Sequence, residues 1–321
     1  MPRTAVLLIA WFAFLVAAVA LAARFVPVVN HAVLIVAALA PYLTIGAAVL
    51  STAALLMARS WWAAPAAVLL AVAVAVQVPL FVSSGKAPPD AVAVRVLTVN
   101  LQMGAAQPEP LVAIARDRAD VLVVQELTPE IADRLAAVES ELPHRAVDAR
   151  PSAAGVGIWS RYPVRRYSRD PGYELGMLRA SLQVPGVTRD VTVVAAHVVG
   201  PWPQPIDGWR TEMATLPKTL AGLARTAGEG AVIVAGDLNA TADMLPFRRL
   251  LAAGFGDTAE QTGAGLAGTY PAQGSTPALI RIDHILIRNA AATDLTTVRV
   301  PGTDHLGVAA TIHLRRSATT G

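Results

Sequence analysis

The sequence predicts an α/β domain that follows an N-terminal membrane anchor of three transmembrane helices. Three observations support this prediction. The first 85 residues hold only three charged side chains and no acidic one, whereas all 23 acidic residues lie at or after Asp90. Beyond that point, short runs rich in Val and Ile, typical of buried strands, alternate with stretches of helical character near 110–118, 129–138, 209–227 and 244–252. Several of these apolar runs end in Asn, Glu, Asp or His, which indicates a polar site at the strand ends.

The anchor is predicted from three apolar stretches, residues 5–23, 33–58 and 63–82. Each can cross a bilayer, which takes about 20 mostly apolar residues. A buried hairpin of a soluble protein is the alternative, but soluble helices carry a polar face that these stretches lack. Trp61 and Trp62 beside Arg59 are typical of an interfacial anchor. Residues 1–83 are therefore predicted to form a multi-pass anchor in the cell membrane.

The orientation of the anchor follows from its few cations. Arg3 precedes the first span and Arg59 lies between the second and third, so positive charge places both on the cytoplasmic side. The first span can also be read as a cleaved signal peptide, because Ala20-Leu21-Ala22 resembles a cleavage site. Both interpretations put the C-terminal domain outside the cytoplasm.

Three further segments complete the predicted organisation. Residues 84–93 contain Pro88 and Pro89 and are predicted to be a short, semi-rigid linker. Residues 94–315 are predicted to form the α/β domain. The Ser/Thr-rich end, residues 316–321, is predicted to be a disordered tail.

The most informative motif is the run from Val232 to Asn239. It is an apolar strand that ends in Gly-Asp-Leu-Asn, with a carboxylate at Asp237 and a carboxamide at Asn239. Alternate residues of a strand point to the same side, so these two groups leave the strand together. The same letters also suit a turn, and the motif alone leaves both interpretations open.

Other strand ends carry the same kind of side chain. Asn100, Glu126 and His197 each end an apolar run, Asp283 lies inside another, and the pair Asp304-His305 precedes the last. Each has a structural alternative: Asn100 as a turn former, Glu126 as a helix cap, His197 as a satisfied strand-end histidine. Asp283 lies in an apolar run, where an unpaired carboxylate is costly, so it needs a partner, and His305 is the natural candidate.

The ordered set Asn100, Glu126, His197, Asp237, Asn239, Asp283, Asp304 and His305 resembles the endonuclease/exonuclease/phosphatase (DNase I-like) superfamily over residues 94–314. The resemblance implies a four-layer α/β/β/α sandwich of two mixed sheets. With its anchor, the chain also resembles membrane-bound actinobacterial members associated with vancomycin and teicoplanin resistance.

The resemblance implies metal-assisted attack of water on a phosphate ester. Glu126 and Asn100 are the expected metal ligands, and oxygen ligands favour Mg²⁺, with Mn²⁺ as the alternative. The expected catalytic residues are His197, Asp237, Asn239, Asp283, Asp304 and His305. Whether Asp237 or His305 acts as the base stays open at this point.

Two further positions bear on the substrate. Arg179, and less strongly Tyr173, fall where family members place phosphate-contacting side chains, so Arg179 is expected to bind substrate. Gln102 stands where many nucleases of the superfamily have a second carboxylate, which weakens the case for a second metal and for kinship with the DNA-repair branch.

Charge weighs against nucleic acid as a partner. From Asp90 onward the chain has 22 basic and 23 acidic side chains, a net charge of −1, whereas a protein that grips nucleic-acid backbones has a clear basic footprint. The leading hypothesis is a membrane-anchored phosphoesterase acting outside the cytoplasm on a lipid-linked phosphate or diphosphate. The alternatives are a tethered nuclease or nucleotide phosphodiesterase, favoured by a basic groove around Arg165, Arg166 and Arg179, and a non-enzymatic receptor or scaffold. No protein partner can be inferred.

Overall fold

The structure is a computed structural model that describes residues 2–274 and 277–317. The chain divides into two compact units. The first, which we call the anchor unit, comprises Met1–Pro79 and Ala240–Arg249. The second comprises Leu80–Asn239 and Leu250–Gly321.

The first unit consists mainly of apolar helices. They are α1 (Arg3–Ala23), α2 (His31–Ala38), α3 (Ala40–Met57) and α4 (Ala63–Ala75), and a 3₁₀ turn follows at Val78–Leu80. Three segments are long and apolar enough to cross a membrane, namely Arg3–Ala23, Ala40–Met57 and Ala63–Leu80. The predicted second stretch, 33–58, is divided between α2 and α3. Pro41 lies in the first turn of α3, where its missing N–H is harmless, whereas a helix continuing through it would lose a hydrogen bond.

Small residues let the anchor helices approach one another. The side of α1 that is buried in the unit carries alanine at every third or fourth position, including Ala10, Ala13 and Ala17. Helix α1 packs on α3, and the Ser51 hydroxyl of α3 donates a hydrogen bond of 2.9 Å to the carbonyl of Ala10. Small side chains and interhelical hydrogen bonds of this kind hold helices together in membranes, where lipid removes the hydrophobic drive.

The segment Ala240–Arg249 belongs to the anchor unit although it lies within the predicted catalytic domain. Its buried Asp243 forms an ion pair with Arg24, at the end of α1, and accepts a 2.9 Å hydrogen bond from Nε2 of Gln77. Arg248 donates to the carbonyl of Arg24. The chain therefore enters the anchor unit immediately after Asn239.

The second unit contains two six-stranded mixed sheets. The first has the order β11-β12-β1-β2-β4-β3 and the second β5-β6-β7-β8-β10-β9. The strands are β1 (Val92–Asn100), β2 (Val121–Gln125), β3 (His144–Asp148), β4 (Val156–Ser160), β5 (Val164–Arg169), β6 (Gly176–Leu182), β7 (Val191–His197), β8 (Val232–Asp237), β9 (Gly256–Asp257), β10 (Asp283–Arg288), β11 (Ala290–Arg299) and β12 (Leu306–Leu314).

Two apolar clusters hold the layers of this unit together. Between the sheets, side chains such as Val96 and Ile158 from the first sheet pack with Val193 and Ile233 from the second. The other face of the first sheet packs on the helices that follow β1 and β2. The helices of this unit are α5 (Pro108–Arg118), α6 (Pro129–Arg134), α7 (Ile206–Ala227) and α9 (Thr258–Thr262), and α8 (Leu245–Ala252) runs from one unit into the other. The predicted α/β sandwich of two mixed sheets is confirmed.

The segment predicted as a linker is held by hydrogen bonds. The backbone N–H groups of Ser84 and Gly85 donate to the carbonyl of Gln261 at 2.9 and 2.7 Å. Strand β1 then begins at Val92, inside the predicted linker. At the other end, Arg316 and Ser317 of the predicted tail bond to backbone carbonyls of the unit, and residues 318–321 lie outside the described residues.

Candidate active site

Strand register brings the polar strand ends together. In the first sheet, Asn100 at the end of β1 lies beside Gln125 of the parallel strand β2, and Glu126 follows directly. In the second sheet, His197 at the end of β7 lies beside Asp237 of the parallel strand β8. Asp237 is in turn paired with Asp283, the first residue of the antiparallel strand β10. Side chains that are up to 183 positions apart in the sequence therefore meet in one buried cluster.

Asn100 connects the two sheets across this cluster. Its Nδ2 donates to Oε1 of Glu126 and to Oδ2 of Asp237, both at 3.1 Å. Its oxygen accepts the backbone N–H of Gln102 at 2.9 Å. Asn100 is thus oriented as a hydrogen-bond donor to two carboxyl groups, and its expected role as a metal ligand stays a prediction.

Glu126 adopts a backbone conformation that turns its side chain toward the cluster. Its φ is +57°, in the left-handed region that costs a non-glycine residue about 1 kcal/mol or more. Oε2 accepts the N–H of Met103 at 2.7 Å, and Oε1 lies 3.8 Å from Nε2 of His197. Burial raises the pKa of Glu126 above its ordinary value.

Asp237 and Asn239 are held by the turn that ends β8. Oδ1 of Asp237 accepts the N–H of Asn239 at 2.8 Å, and Asn239 has a left-handed φ of +49°. The side-chain amide of Asn239 donates to the backbone carbonyl of Val198 at 2.9 Å. The backbone carbonyl of Asn239 accepts the Nε1–H of Trp209, also at 2.9 Å. Asn239 therefore ties the end of β8 to the loop after β7, with one amide hydrogen left for another acceptor.

Asp283 and His305 form a buried pair. Nδ1 of His305 lies 2.8 Å from Oδ2 of Asp283, and Nε2 lies 3.9 Å from Oδ2 of Asp237. Burial alone would lower the pKa of His305, but the adjacent Asp283 carboxylate raises this pKa to about 10. Burial likewise would raise the pKa of Asp283, but His305 keeps it below its ordinary value. The pair is therefore a carboxylate and an imidazolium at neutral pH.

His197 has the opposite charge state. Its Nδ1 lies 3.1 Å from the carbonyl of Ala153, which can only accept, so Nδ1 carries the hydrogen. Nε2 then carries a lone pair. This nitrogen lies 3.8 Å from Oε1 of Glu126 and 3.9 Å from Oδ2 of Asp237. Burial lowers the pKa of His197 to about 4, so it is a neutral acceptor.

Asp237 is the carboxyl group with the largest rise in pKa. Burial, and next the charge of Asp283, raise the pKa of Asp237 to about 8. A carboxyl group with a pKa near neutrality is a stronger base than an ordinary one, and it can take up and release a proton at the working pH.

Loop residues complete the site. Asp304 is partly exposed, and its Oδ1 lies 4.0 Å from Nε2 of His305. The ring of Tyr270 packs on the His305 imidazole with a centroid distance of 4.9 Å. The Thr303 hydroxyl donates to the carbonyl of Asn100 at 2.8 Å and accepts the N–H of His305 at 3.1 Å. Sequence reasoning missed Tyr270, Thr303 and Ala153, because loop positions carry no periodic signal.

Arg179 does not join the cluster. On β6 it alternates with Leu178 and Ala180, which face the core between the sheets, so Arg179 lies on the outer face. Its Nε donates to the hydroxyl of Ser168 at 2.6 Å. Tyr173 is also elsewhere, with its hydroxyl bonded to Thr219 of α7 at 2.8 Å. The structure thus separates both residues from the catalytic groups predicted beside them.

Two groups of side chains could hold a cation. Asp237, Asp283 and His305 offer ligand atoms within 4.8 Å of one another, but the hydrogen bond between Asp283 and His305 accounts for that closeness, and the imidazolium repels a cation. Among the described residues, no arginine or lysine forms a salt bridge with the Glu126 carboxylate. The imidazole of His197, which is neutral, lies 3.8 Å from it. An oxygen donor of this kind suits a hard cation such as Mg²⁺.

Comparison with known proteins agrees with this geometry. The model of the endonuclease/exonuclease/phosphatase family matches residues 97–305, which include every residue of the cluster. No curated protein sequence matches the chain.

Solved structures share the fold. A humanized TDP2 from D. rerio is 18% identical, with 68% of this chain and 98% of that chain covered and a TM-score of 0.57. A functionally unknown conserved protein from Enterococcus faecalis V583 is 13% identical, with coverage of 69% and 100% and a TM-score of 0.56. The 3′ phosphatase NExo from Neisseria, bound to a product DNA hairpin, is 19% identical, with coverage of 70% and 100% and a TM-score of 0.53.

Proposed function

The chain belongs to the endonuclease/exonuclease/phosphatase family, and we propose that it is a membrane-anchored, Mg²⁺-dependent hydrolase of a lipid-linked phosphate or diphosphate. The observation that carries this proposal is the convergence of Glu126, Asp237 and the Asp283–His305 pair, which lie at strand ends of both sheets or next to them. These groups provide a cation site, a base and a cationic phosphate contact, which are the three components that phosphoester hydrolysis needs.

Asp237 acts as the base for the attacking water. Its carboxyl group is fixed by Asn100 and by the N–H of Asn239, so it is oriented before substrate binds. His197 offers a neutral acceptor 3.9 Å from the same carboxyl oxygen and helps to orient the water. With a pKa of about 10, His305 gives up its proton only at a higher pH than Asp237, whose pKa is about 8, so Asp237 is the better candidate for the base.

His305 binds the phosphoryl group. Nδ1 is occupied by Asp283, so Nε2–H is the donor that remains, and it faces the carboxyl group of Asp237. A phosphoryl oxygen placed there receives a charge-assisted hydrogen bond, which strengthens as negative charge develops in the transition state. The remaining amide hydrogen of Asn239 supplies a second donor, and Asp304 helps to orient His305.

Glu126 would hold the metal, and a bound Mg²⁺ would supply positive charge to the phosphoryl and leaving oxygens. Asn100 keeps the Glu126 carboxylate in place through Nδ2, and the Met103 N–H fixes its second oxygen.

The lipid-linked substrate is supported by the anchor, by charge and by exposed apolar residues. Three candidate spans precede a region whose net charge is −1, which is unfavourable for gripping a polyanion. Met103, next to the Glu126 contact, is 56% exposed, and Trp202, in the loop after His197, is 63% exposed. Apolar side chains on two loops that adjoin the site suit a substrate with an apolar part.

A nuclease or nucleotide phosphodiesterase is the second candidate. It is favoured by the similarity in fold to the Neisseria 3′ phosphatase, which was solved with product DNA. The basic residues that would support it, Arg166 and Arg179, lie on the outer face of the second sheet and not beside Asp237. We therefore place it below the lipid-linked substrate.

The test is hydrolysis by the full chain, purified in nanodiscs of neutral lipid. Four substrates are compared: a long-chain polyprenyl diphosphate, a short-chain water-soluble diphosphate analogue, a nucleoside triphosphate and plasmid DNA, each with Mg²⁺, with Mn²⁺ and with chelator. We expect metal-dependent release of phosphate, fastest from the long-chain lipid. Preferential cleavage of plasmid DNA would establish the second candidate, and turnover of no phosphoester by a folded protein would overturn the proposal.

A further inference from the structure

A second polar cleft lies on the outer face of the second sheet, between β5–β7 and helix α7. It consists of two adjoining cavities of about 390 and 500 Å³, and Arg179, Leu223 and Thr226 line both. We call this region the α7 cleft. Its sheet side comes from Arg166, Ser168 and Arg179, and its helix side from α7 residues that include Lys218 and Arg225.

Strand register explains why polar groups gather on this face. Arg166 of β5 is paired with Ser181 of β6, which is paired with Thr192 of β7. The next row along the same face is Ser168 and Arg179. The inward positions between these rows, such as Ala180, belong to the apolar core. Hydroxyl and guanidinium groups therefore occupy a face that a helix would ordinarily cover with apolar contacts.

The cations of the α7 cleft have no carboxylate partners. Among the described residues, no carboxylate lies within 4.0 Å of Arg166, Arg179, Lys218 or Arg225, although other surface arginines of this unit, such as Arg210, are paired. Within the described part of the chain, Arg179 has one hydrogen-bond partner, the hydroxyl of Ser168.

Two acidic residues adjoin the cleft. Asp170, which lines the larger cavity, accepts the N–H of Gly172 at 3.0 Å, and Asp190 accepts the hydroxyl of Ser181, which lines the other cavity, at 2.9 Å. Four positive charges and the carboxylate of Asp170 thus line one concave region, which has an excess of positive charge within a domain whose net charge is −1.

We propose that the α7 cleft binds a compact, phosphate-bearing anion at a site separate from the catalytic cluster. Arginine forks and serine or threonine hydroxyls are the donors that recognise phosphate, and an anion relieves the repulsion among four like charges. Cavities of about 390 and 500 Å³ fit a diphosphate or a phosphorylated headgroup, whereas a nucleic-acid duplex needs a longer basic track. The proposal does not depend on the proposed function, because none of these residues touches Asp237, Glu126 or His305.

The test is equilibrium binding of inorganic pyrophosphate to the full chain in phosphatidylcholine nanodiscs. Chelator is present throughout, so that metal-dependent binding at the catalytic cluster is removed. We expect saturable binding at one site, weaker at high salt because the contacts are ionic. The variant Arg166→Gln/Arg179→Gln should bind at least about tenfold more weakly, since each lost charged contact costs about 1.4 kcal/mol or more.

The control variant is Arg165→Gln/Arg189→Gln, which removes the same charge from exposed arginines outside the cleft. It should bind as the wild type does, and so should Glu126→Gln. No binding by the wild type at low salt, or an equal loss in the control variant, would overturn the proposal.

A final arm identifies the source of the phosphate. The affinity of the wild type for pyrophosphate is measured again in nanodiscs that contain phosphatidic acid. A weaker apparent affinity means that the lipid headgroup competes for the cleft, and assigns the cleft to a lipid headgroup. Unchanged pyrophosphate affinity assigns it to a soluble anion. Either result supports a phosphate site in the cleft.

Discussion

His305 is held between two carboxyl groups from neighbouring strands. Its Nδ1 lies 2.8 Å from Oδ2 of Asp283 and its Nε2 lies 3.9 Å from Oδ2 of Asp237. Asp283 and Asp237 are themselves directly paired in the sheet. The ladder between β8 and β10 therefore fixes the separation of the two carboxyl groups, and the hydrogen bond to Asp283 holds the imidazole of His305, which lies in the loop before β12, beside them.

We expect Asp283 and His305 to act as one catalytic unit. His305→Ala should lower turnover at least ~10²-fold, the scale of a lost charge-stabilising donor. Asp283→Asn should also be impaired, because the imidazolium loses its supporting charge. The double variant should be little worse than His305→Ala, since residues that act as a unit are strongly non-additive. Phosphoester turnover of the three variants checks this.

A purely structural ion pair gives a different result. Removing one partner of a buried pair would then cost about 3–5 kcal/mol of stability, while turnover per folded molecule would stay near that of the wild type. Thermal unfolding of the same three variants separates the two cases. Normal turnover per folded molecule in His305→Ala would remove His305 from the mechanism.

Glu126→Gln should abolish metal-dependent activity while preserving the fold. The amide keeps the shape of the side chain but removes the charge that holds the cation, and we expect a loss of at least ~10²-fold in turnover. Titration with Mg²⁺ should show a much weaker apparent affinity. Glu130→Gln, the same change at an exposed position, is the matched control and should behave as the wild type. Full activity of Glu126→Gln in chelator would refute this assignment.

Much of the fold could be predicted, because the strands follow from local patterns of apolar and polar residues. Apolar runs of strand length and their polar ends identify β1, β2, β7, β8 and β10 without any knowledge of which strands pair. The pairing of Asp283 with His305 was predictable because a buried carboxylate needs a partner. The alternation of apolar and charged residues at Leu178, Arg179 and Ala180 also indicates that Arg179 faces away from the core.

The remainder depends on contacts between distant residues. The orientation of the Asn100 amide is set by its hydrogen bonds to Glu126 and Asp237. No local sequence pattern predicts these contacts. The placement of residues 240–249 in the anchor unit depends on a buried pair between Asp243 and Arg24, which are 219 positions apart. Sequence periodicity reports which face of an element is apolar, but not which partner will cover it.

Asp243 should hold the segment Ala240–Arg249 in the anchor unit. Asp243→Ala leaves Arg24 and Gln77 without their shared partner, so we expect faster amide hydrogen exchange in residues 240–249, measured by mass spectrometry in nanodiscs. Asp207→Ala, which removes an exposed carboxylate paired with Arg210, is the control. Unchanged protection in Asp243→Ala would show that the apolar contacts alone hold the segment.

The catalytic domain should lie outside the cytoplasm. Arg3 and Arg59 are the cations that flank the candidate spans on one side, and three crossings from a cytoplasmic N-terminus end outside. A reporter that is active only beyond the membrane, fused after Gly321, should be active, and a cytoplasm-only reporter should be silent. The reverse pattern would contradict the predicted orientation.

The buried pair of Arg281 and Asp257 should make the domain sensitive to acid. Nη2 of Arg281 lies 2.7 Å from Oδ2 of Asp257, and the other two guanidinium nitrogens have no hydrogen-bond partner among the described residues. Burial would raise the pKa of Asp257, but Arg281, together with His284, lowers it from 3.8 to about 2. Losing the carboxylate therefore leaves a buried cation without compensation.

The sign of the pH dependence follows from that shift. Because the folded-state pKa of Asp257 is below its unfolded value, its stabilising contribution is complete above about pH 4 and is lost as the pH falls toward 2. A shift of nearly two units corresponds to about 2 kcal/mol. Asp257→Asn should lower the melting temperature at pH 7, and the difference between wild type and variant should shrink between pH 4 and 2. Thermal unfolding followed by near-ultraviolet circular dichroism, at each pH, measures this difference and cancels the titration of other carboxylates. A gap that stays constant down to pH 2 would mean that Asp257 does not titrate in that range and that Arg281 is stabilised by other groups.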